Sequence, residues 1–124
     1  MPTPKPTEGE LAILRVIWDR GSCTVREIHE VLGRTQYTTV LKLLQIMTEK
    51  GLVRREEVGR THHYRACRSE SQTQRQLVKD LLARAFGGSP VGLVMQALAA
   101  KRATPSELDA IHKLIARSRR ARNV

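Results

Sequence analysis

The chain has 124 residues, 40% of them hydrophobic but only 3% aromatic, a length that holds one domain, or a small domain plus an appendage, and excludes large enzyme folds. With so few rings the core must be built from Leu, Ile, Val, Ala and Met, which favours packed helices over an all-β architecture. Lys and Arg number 22 against 12 Asp and Glu, a net charge of +10, and that balance draws the chain toward polyanions, nucleic acid first among them.

No apolar run approaches the roughly 18 residues that span a bilayer, and Met1-Pro2-Thr3-Pro4-Lys5-Pro6 lacks the apolar core of a secretion signal. A cytoplasmic location and no membrane partner are expected. Cys23 and Cys67 stand apart from each other and from any CxxC or HxxxH spacing, so no disulfide framework, metal site or cofactor is expected.

The proline-spaced residues 1–6 read as a disordered arm. Thr7 and Glu10 then stand in capping-box spacing before Leu11, Leu14, Ile17 and Trp18, an amphipathic helix closed by Gly21. Ser22 and Cys23 form a short extended link. Thr24 and Glu27 repeat the capping signal, and Val25, Ile28, Val31 and Leu32 form the packed stripe of a second helix. After the Gly33-Arg34-Thr35 turn, Val40, Leu43, Leu44 and Met47 sit at i, i+3, i+4 and i+7 in a third helix over about residues 36–50, with Gly51 as its cap. Leu52 to Ala66 reads as two strands around the Gly59 turn.

Three helices followed by a two-stranded hairpin with a basic tip are the order of a winged helix-turn-helix. The expected fold is therefore mainly α with a small β-hairpin: a winged domain over 7–68, a helical dimerisation region over 69–117 and a basic tail over 118–124, whose arginines, with Arg117, could touch DNA or neutralise an acidic surface but are expected to stay disordered. In the second region Leu77, Leu81, Leu82 and Phe86 share a helical face, Ser89-Pro90 starts a further helix, and Thr104-Pro105-Ser106-Glu107 starts the last. These helices hold too little core to stand alone. A second copy of the segment is the simplest cover, and Leu77, Leu81, Val94, Met95, Leu98, Leu108, Ile111 and Ile115 form the expected dimer interface.

Residues 1–66 carry 11 Lys/Arg and 8 Asp/Glu, residues 67–124 carry 11 and 4, so in the winged segment placement matters more than total charge. Base contacts are expected from Gln36, Tyr37, Thr38, Thr39 and Lys42, since a helix fits the major groove and these side chains can meet base edges there. Tyr37 has the equal alternative of packing against the turn. Thr24, Arg26, Arg34, Arg54, Arg60 and His62 are the expected phosphate contacts, with Arg55 beside Arg54 on the hairpin.

Glu10-Leu11 with Val16-Ile17-Trp18, Thr24-Val25-Arg26-Glu27-Ile28, Tyr37-Thr38-Thr39-Val40, Glu49-Lys50-Gly51-Leu52-Val53-Arg54, Gly59-Arg60 and Tyr64 resemble the penicillinase-repressor family, BlaI/MecI/CopY. The resemblance is specific over residues 7–66 and weaker beyond, where Leu93-Val94-Met95 and Ser106-Glu107-Leu108 echo the pattern. It implies a bacterial homodimeric repressor, each winged domain on half of a palindromic double-stranded DNA operator. It also implies a sensor-linked protease as partner of the β-lactam-responsive members, which are cut between Asn and Phe. The matching pair here is Gln96-Ala97, a departure that puts such induction in doubt. No cysteine follows Cys67, which argues against the thiolate copper site of other members. The turn between Leu32 and Thr39 also looks a few residues shorter than in those relatives.

An enzyme is the competing class, but adjacent His62 and His63 face opposite ways on a strand, and no nucleophile, base or metal set is visible. The nearer alternatives are a winged module that binds protein or RNA, or a nonspecific DNA-binding protein.

Overall fold

Thr7 Oγ1 accepts from the Glu10 N–H at 3.3 Å while the Thr7 N–H donates to Glu10 Oε1 at 2.9 Å. This reciprocal box starts α1 (Glu8–Arg20) in the computed structural model, which describes residues 4–123. Thr24 and Glu27 make the same exchange at 3.2 and 3.0 Å and start α2 (Val25–Leu32). α3 (Tyr37–Lys50) ends at Gly51, whose φ of 79° and ψ of 20° lie in the left-handed region that glycine enters without a Cβ penalty. The chain then forms an antiparallel hairpin of β1 (Val53–Val58) and β2 (Thr61–Ala66), in register from Val53 opposite Ala66 to Val58 opposite Thr61. Three helices follow, α4 (Glu70–Ala85), α5 (Pro90–Ala100) and α6 (Pro105–Arg122).

The molecule divides into two compact units, the first ending at Lys79 and the second beginning at Asp80. In the first, α1, α2 and α3 each turn one aliphatic stripe inward. Ile13, Ile17, Ile28, Val40, Leu44 and Met47 are almost wholly shielded from water, and Val53 and Tyr64 close the layer from the hairpin. The hairpin is also tied to the link between α1 and α2: the Cys23 N–H donates to the Tyr64 carbonyl at 3.1 Å, and the Tyr64 N–H returns to the Cys23 carbonyl at 2.8 Å. Burial pushes the Cys23 thiol up, and Glu27 adds to the shift, so this sulfur is a neutral core atom. The Trp18 indole N–H donates to the Arg68 carbonyl at 3.0 Å.

One buried polar contact joins distant segments. Glu10, 1% exposed, accepts from Lys50 Nζ through both carboxylate oxygens at 2.9 and 3.0 Å. Burial alone would raise its proton affinity, but the Thr7 N–H and the Lys50 ammonium outweigh burial and hold the carboxyl below its ordinary range. The pair ties the first turn of α1 to the last turn of α3.

The second unit is different in kind. Ser89 caps α5 by accepting from the Gly92 N–H at 3.2 Å, and Thr104 and Glu107 form a third capping box ahead of α6. The helices are well started, yet no residue of α5 or α6 is buried.

Four expectations need correction. Pro6, assigned to a disordered arm, is buried; residues 1–3 of that arm lie outside the described residues. α6 continues through Arg122 where a disordered tail was expected from residue 118, because arginine is a good helix former and favours a helix C-terminus; Val124 is outside the described residues. The boundary expected after residue 68 falls within α4, after Lys79. Val31, placed on the packed stripe of α2, is 49% exposed.

Candidate nucleic-acid interface

Burial of Val40, Leu44 and Met47 fixes the rotation of α3. At 100° per residue, Thr38, Lys42, Gln45 and Glu49 then point directly away from the core. Gln36, Tyr37, Thr38, Thr39, Lys42 and Gln45 are all exposed. Gln36 is the N-cap, but its side chain makes no capping bond, leaving the amide free, while its carbonyl accepts from Thr39 and Val40 at 3.1 Å. The first turns of α3 thus offer amide, hydroxyl and ammonium groups beside the positive end of the helix dipole. Glu49 puts a carboxylate at the other end of the same stripe, so an anion is favoured only at the N-terminal half.

Alternation along the hairpin decides which cations face α3. Arg55 lies opposite Tyr64 and Glu57 opposite His62; these share one face. Arg55, Arg60, Thr61, His62 and Tyr64 line a concave surface together with Thr24, Val25 and Arg26 from the start of α2 and Tyr37, Leu41 and Gln45 from α3. Three arginines line it, and the one carboxylate on that hairpin face, Glu57 opposite His62, is not among the lining residues. Arg26 lies near Glu30 at 3.7 Å, both highly exposed, a pair worth little in water. Thr24 Oγ1 accepts from the Glu27 N–H and the Thr24 N–H donates to Glu27 Oε1. That backbone and hydroxyl bonding from Thr24 holds the Glu27 carboxyl below the usual range.

Of the expected phosphate contacts, Thr24, Arg26, Arg60 and His62 come together here. Arg54 does not: it alternates to the reverse face, where Glu56 takes Arg65 Nε at 3.0 Å and Arg54 Nε at 3.4 Å. Arg34, exposed in the turn after α2, also lies outside this surface. Tyr37 stands edge-on to His29 of α2 with ring centroids 5.6 Å apart and remains 46% exposed. Gln45 was missed by the sequence reading, though its position seven residues after Thr38 and three after Lys42 is the available signal.

In the second unit Leu81, Val94, Met95, Leu98, Leu108 and Ile115 are exposed, and Leu114 and Val91 extend the same surface. Ile111 is half-buried there, as is Leu77 in the first half of α4. Gln96 and Ala97 lie inside α5, both exposed. Among the described residues no cluster of His, Cys, Asp and Glu could hold a metal ion, and no single helix is long and apolar enough to cross a membrane.

Three inward-facing helices and a hairpin packed against them define a winged helix-turn-helix. The penicillinase repressor family model matches residues 6–117, and the chain belongs to that family, one of repressors and not of enzymes. Transcriptional regulators BlaI from two Mycobacterium tuberculosis strains, CDC 1551 / Oshkosh and ATCC 25618 / H37Rv, are each 34% identical over 80 residues, covering 61% of this chain. The chain spans 58% of the length of these relatives. Among solved structures, the monomeric form of Bacillus licheniformis BlaI in complex with the blaP half-operator matches with a TM-score of 0.50 and 26% identity, over 56% of this chain and 89% of that one. Bordetella bronchiseptica BpsR matches with a TM-score of 0.50 over 95% of this chain and 78% of that one; at 17% identity it shares the fold alone.

Proposed function

We propose that the protein is a bacterial transcriptional repressor that binds a palindromic DNA operator as a homodimer in the cytoplasm. The N-terminal half of α3 enters the major groove, with Gln36, Thr38, Thr39, Lys42 and Gln45 at base edges and Tyr37 on its rim. Thr24, Arg26, Arg55, Arg60 and His62 take phosphates on the wing side, and Arg34 takes one beside the turn. The observation that carries this reading is the surface between α3 and the hairpin, lined by three arginines, next to an exposed polar helix start. The half-operator complex of the Bacillus relative supports it.

The exposed aliphatic side chains of the second unit support dimerisation through Leu81, Val94, Met95, Leu98, Leu108 and Ile115, with half-buried Ile111; Leu77, in the first unit, is one turn before Leu81 on the same helix. Dimerisation matters because one bound winged domain presents the other at high local concentration. Release by a sensor-linked protease would require cleavage at Gln96–Ala97, within a helix that must first open locally.

The test is footprinting on genomic fragments followed by titration of the protected duplex. A protected inverted repeat is expected, with Thr39→Ala plus Lys42→Ala costing about 1–3 kcal/mol of discrimination per lost base contact. Absence of any protected repeat, or unchanged occupancy by that double variant, would refute the reading.

A further inference from the structure

The arginine-rich end of the chain is a well-ordered surface. α6 is started by the Thr104–Glu107 box and continues through Arg122, so its side chains hold a fixed register. From Ala110 to Asn123 it carries Lys113, Arg117, Arg119, Arg120 and Arg122 and no acid. None of these five has an ion-pair partner among the described residues. Asp109 stands one turn before Lys113, at i,i+4, but eight residues before Arg117, about 12 Å of helix rise, beyond a Debye length of about 10 Å at moderate salt.

The charges also have a direction. Ile111, Leu114 and Ile115 share one face of α6, the face the dimer reading covers. Lys113, Arg117 and Arg120, at i, i+4 and i+7, form a stripe on the opposite side. Helix-dipole compensation accounts for cations in the last turn only and the Asp109 carboxylate one turn away accounts for Lys113, which leaves Arg117 without a structural use. On that side the stripe points away from the surface assigned to the partner copy and is left open to a polyanion.

We propose that Lys113, Arg117 and Arg120 form a second DNA contact, gripping backbone phosphates outside the footprint of the winged unit. The inference rests on the operator-binding reading above, which brings a duplex to the same molecule. Arginine suits phosphate because its planar fork donates two parallel hydrogen bonds. An anionic membrane is the less fitting polyanion: α6 carries no aromatic residue to seat at an interface, and its apolar face is assigned to the partner copy.

The test compares the full chain with its K113Q/R117Q/R120Q variant on a random-sequence duplex long enough to extend past one winged unit, titrated across a salt series, with mass in solution measured alongside. The variant should remain dimeric and lose about 0.9 in the log–log salt slope per phosphate contact, about 3 per bound chain. R117K/R120K, which keeps the charge, should retain most of the slope. An unchanged slope in the triple variant overturns the proposal, as does a monomeric triple variant, which would put these residues in the subunit interface. Capture of the wild type by phosphatidylglycerol vesicles, lost in the triple variant while the DNA slope stays the same, overturns it in favour of a membrane. A wild type with no affinity for any duplex rejects the operator reading itself, an outcome distinct from all three.

Discussion

The two units are built from similar helices yet solve the burial problem differently. In the first, α1, α2 and α3 shield most of their aliphatic side chains against one another and the hairpin. In the second, α5 and α6 are as carefully capped but bury nothing, and Val91 is 67% exposed. A helix gains little from its caps compared with what it gains by packing an apolar face. The first unit is therefore a finished fold, whereas the second leaves its aliphatic side chains open, and if a twin covers them its stability depends on protein concentration.

The contrast is attacked most directly at association. Leu81→Asp places a charge on the exposed aliphatic surface of the second unit; it should yield monomers by sedimentation and weaken operator binding by about 10²–10⁴-fold through lost effective concentration. Tight operator binding by a proven monomer would show that the two halves act independently. Leu44→Ala attacks the other side. It opens a cavity at a fully buried site and should cost about 2–5 kcal/mol in denaturant unfolding of the winged unit, while dimer mass at low denaturant stays as in the wild type.

A smaller effect probes the buried ion pair. Lys50→Met leaves the Glu10 carboxylate in the interior without its cation; complete burial would make this cost about 3–5 kcal/mol, and because Lys50 is 30% exposed a loss of about 2 kcal/mol is expected. The acid limb follows from the same contact. Glu10 titrates below the ordinary carboxylate range in the folded state, so its contribution is complete above an unfolded value of about 4.3 and is lost as pH falls through the lower folded value. Glu10→Gln should flatten the stability profile below about pH 4; an acid limb identical to the wild type would show the pair to be inert. The smallest effect comes from Thr24→Ala, which removes the cap of α2 and should cost about 1 kcal/mol, read as a lowered thermal midpoint with dimer mass unchanged.

Which features were legible in the sequence follows from how local their causes are. Thr7, Thr24 and Thr104 each cap with a glutamate three residues on, and Gly51 ends α3 where the aliphatic repeat stops; such signals lie within one turn. The Glu10–Lys50 pair joins residues 40 positions apart, and no local pattern announces it. Arg54 and Arg55 are indistinguishable in composition, and only the register of β1 with β2 sends one to the α3 side and the other to Glu56. The tail misled for a related reason: a run of arginines looks solvated, but a helix begun at Thr104 and still carrying Leu114 and Ile115 has every reason to propagate. The exposed start of α3 was readable because its core face was so regular.

The paired backbone hydrogen bonds between Cys23 and Tyr64 bear on recognition. They stitch the wing to the joint between the first two helices, so the wing cannot swing as a separate flap when a duplex arrives. The geometry relating wing and reading helix is settled at folding, and little ordering entropy is left for the moment of encounter. Loosening that stitch should therefore shorten the lifetime of the complex while leaving the encounter rate almost untouched.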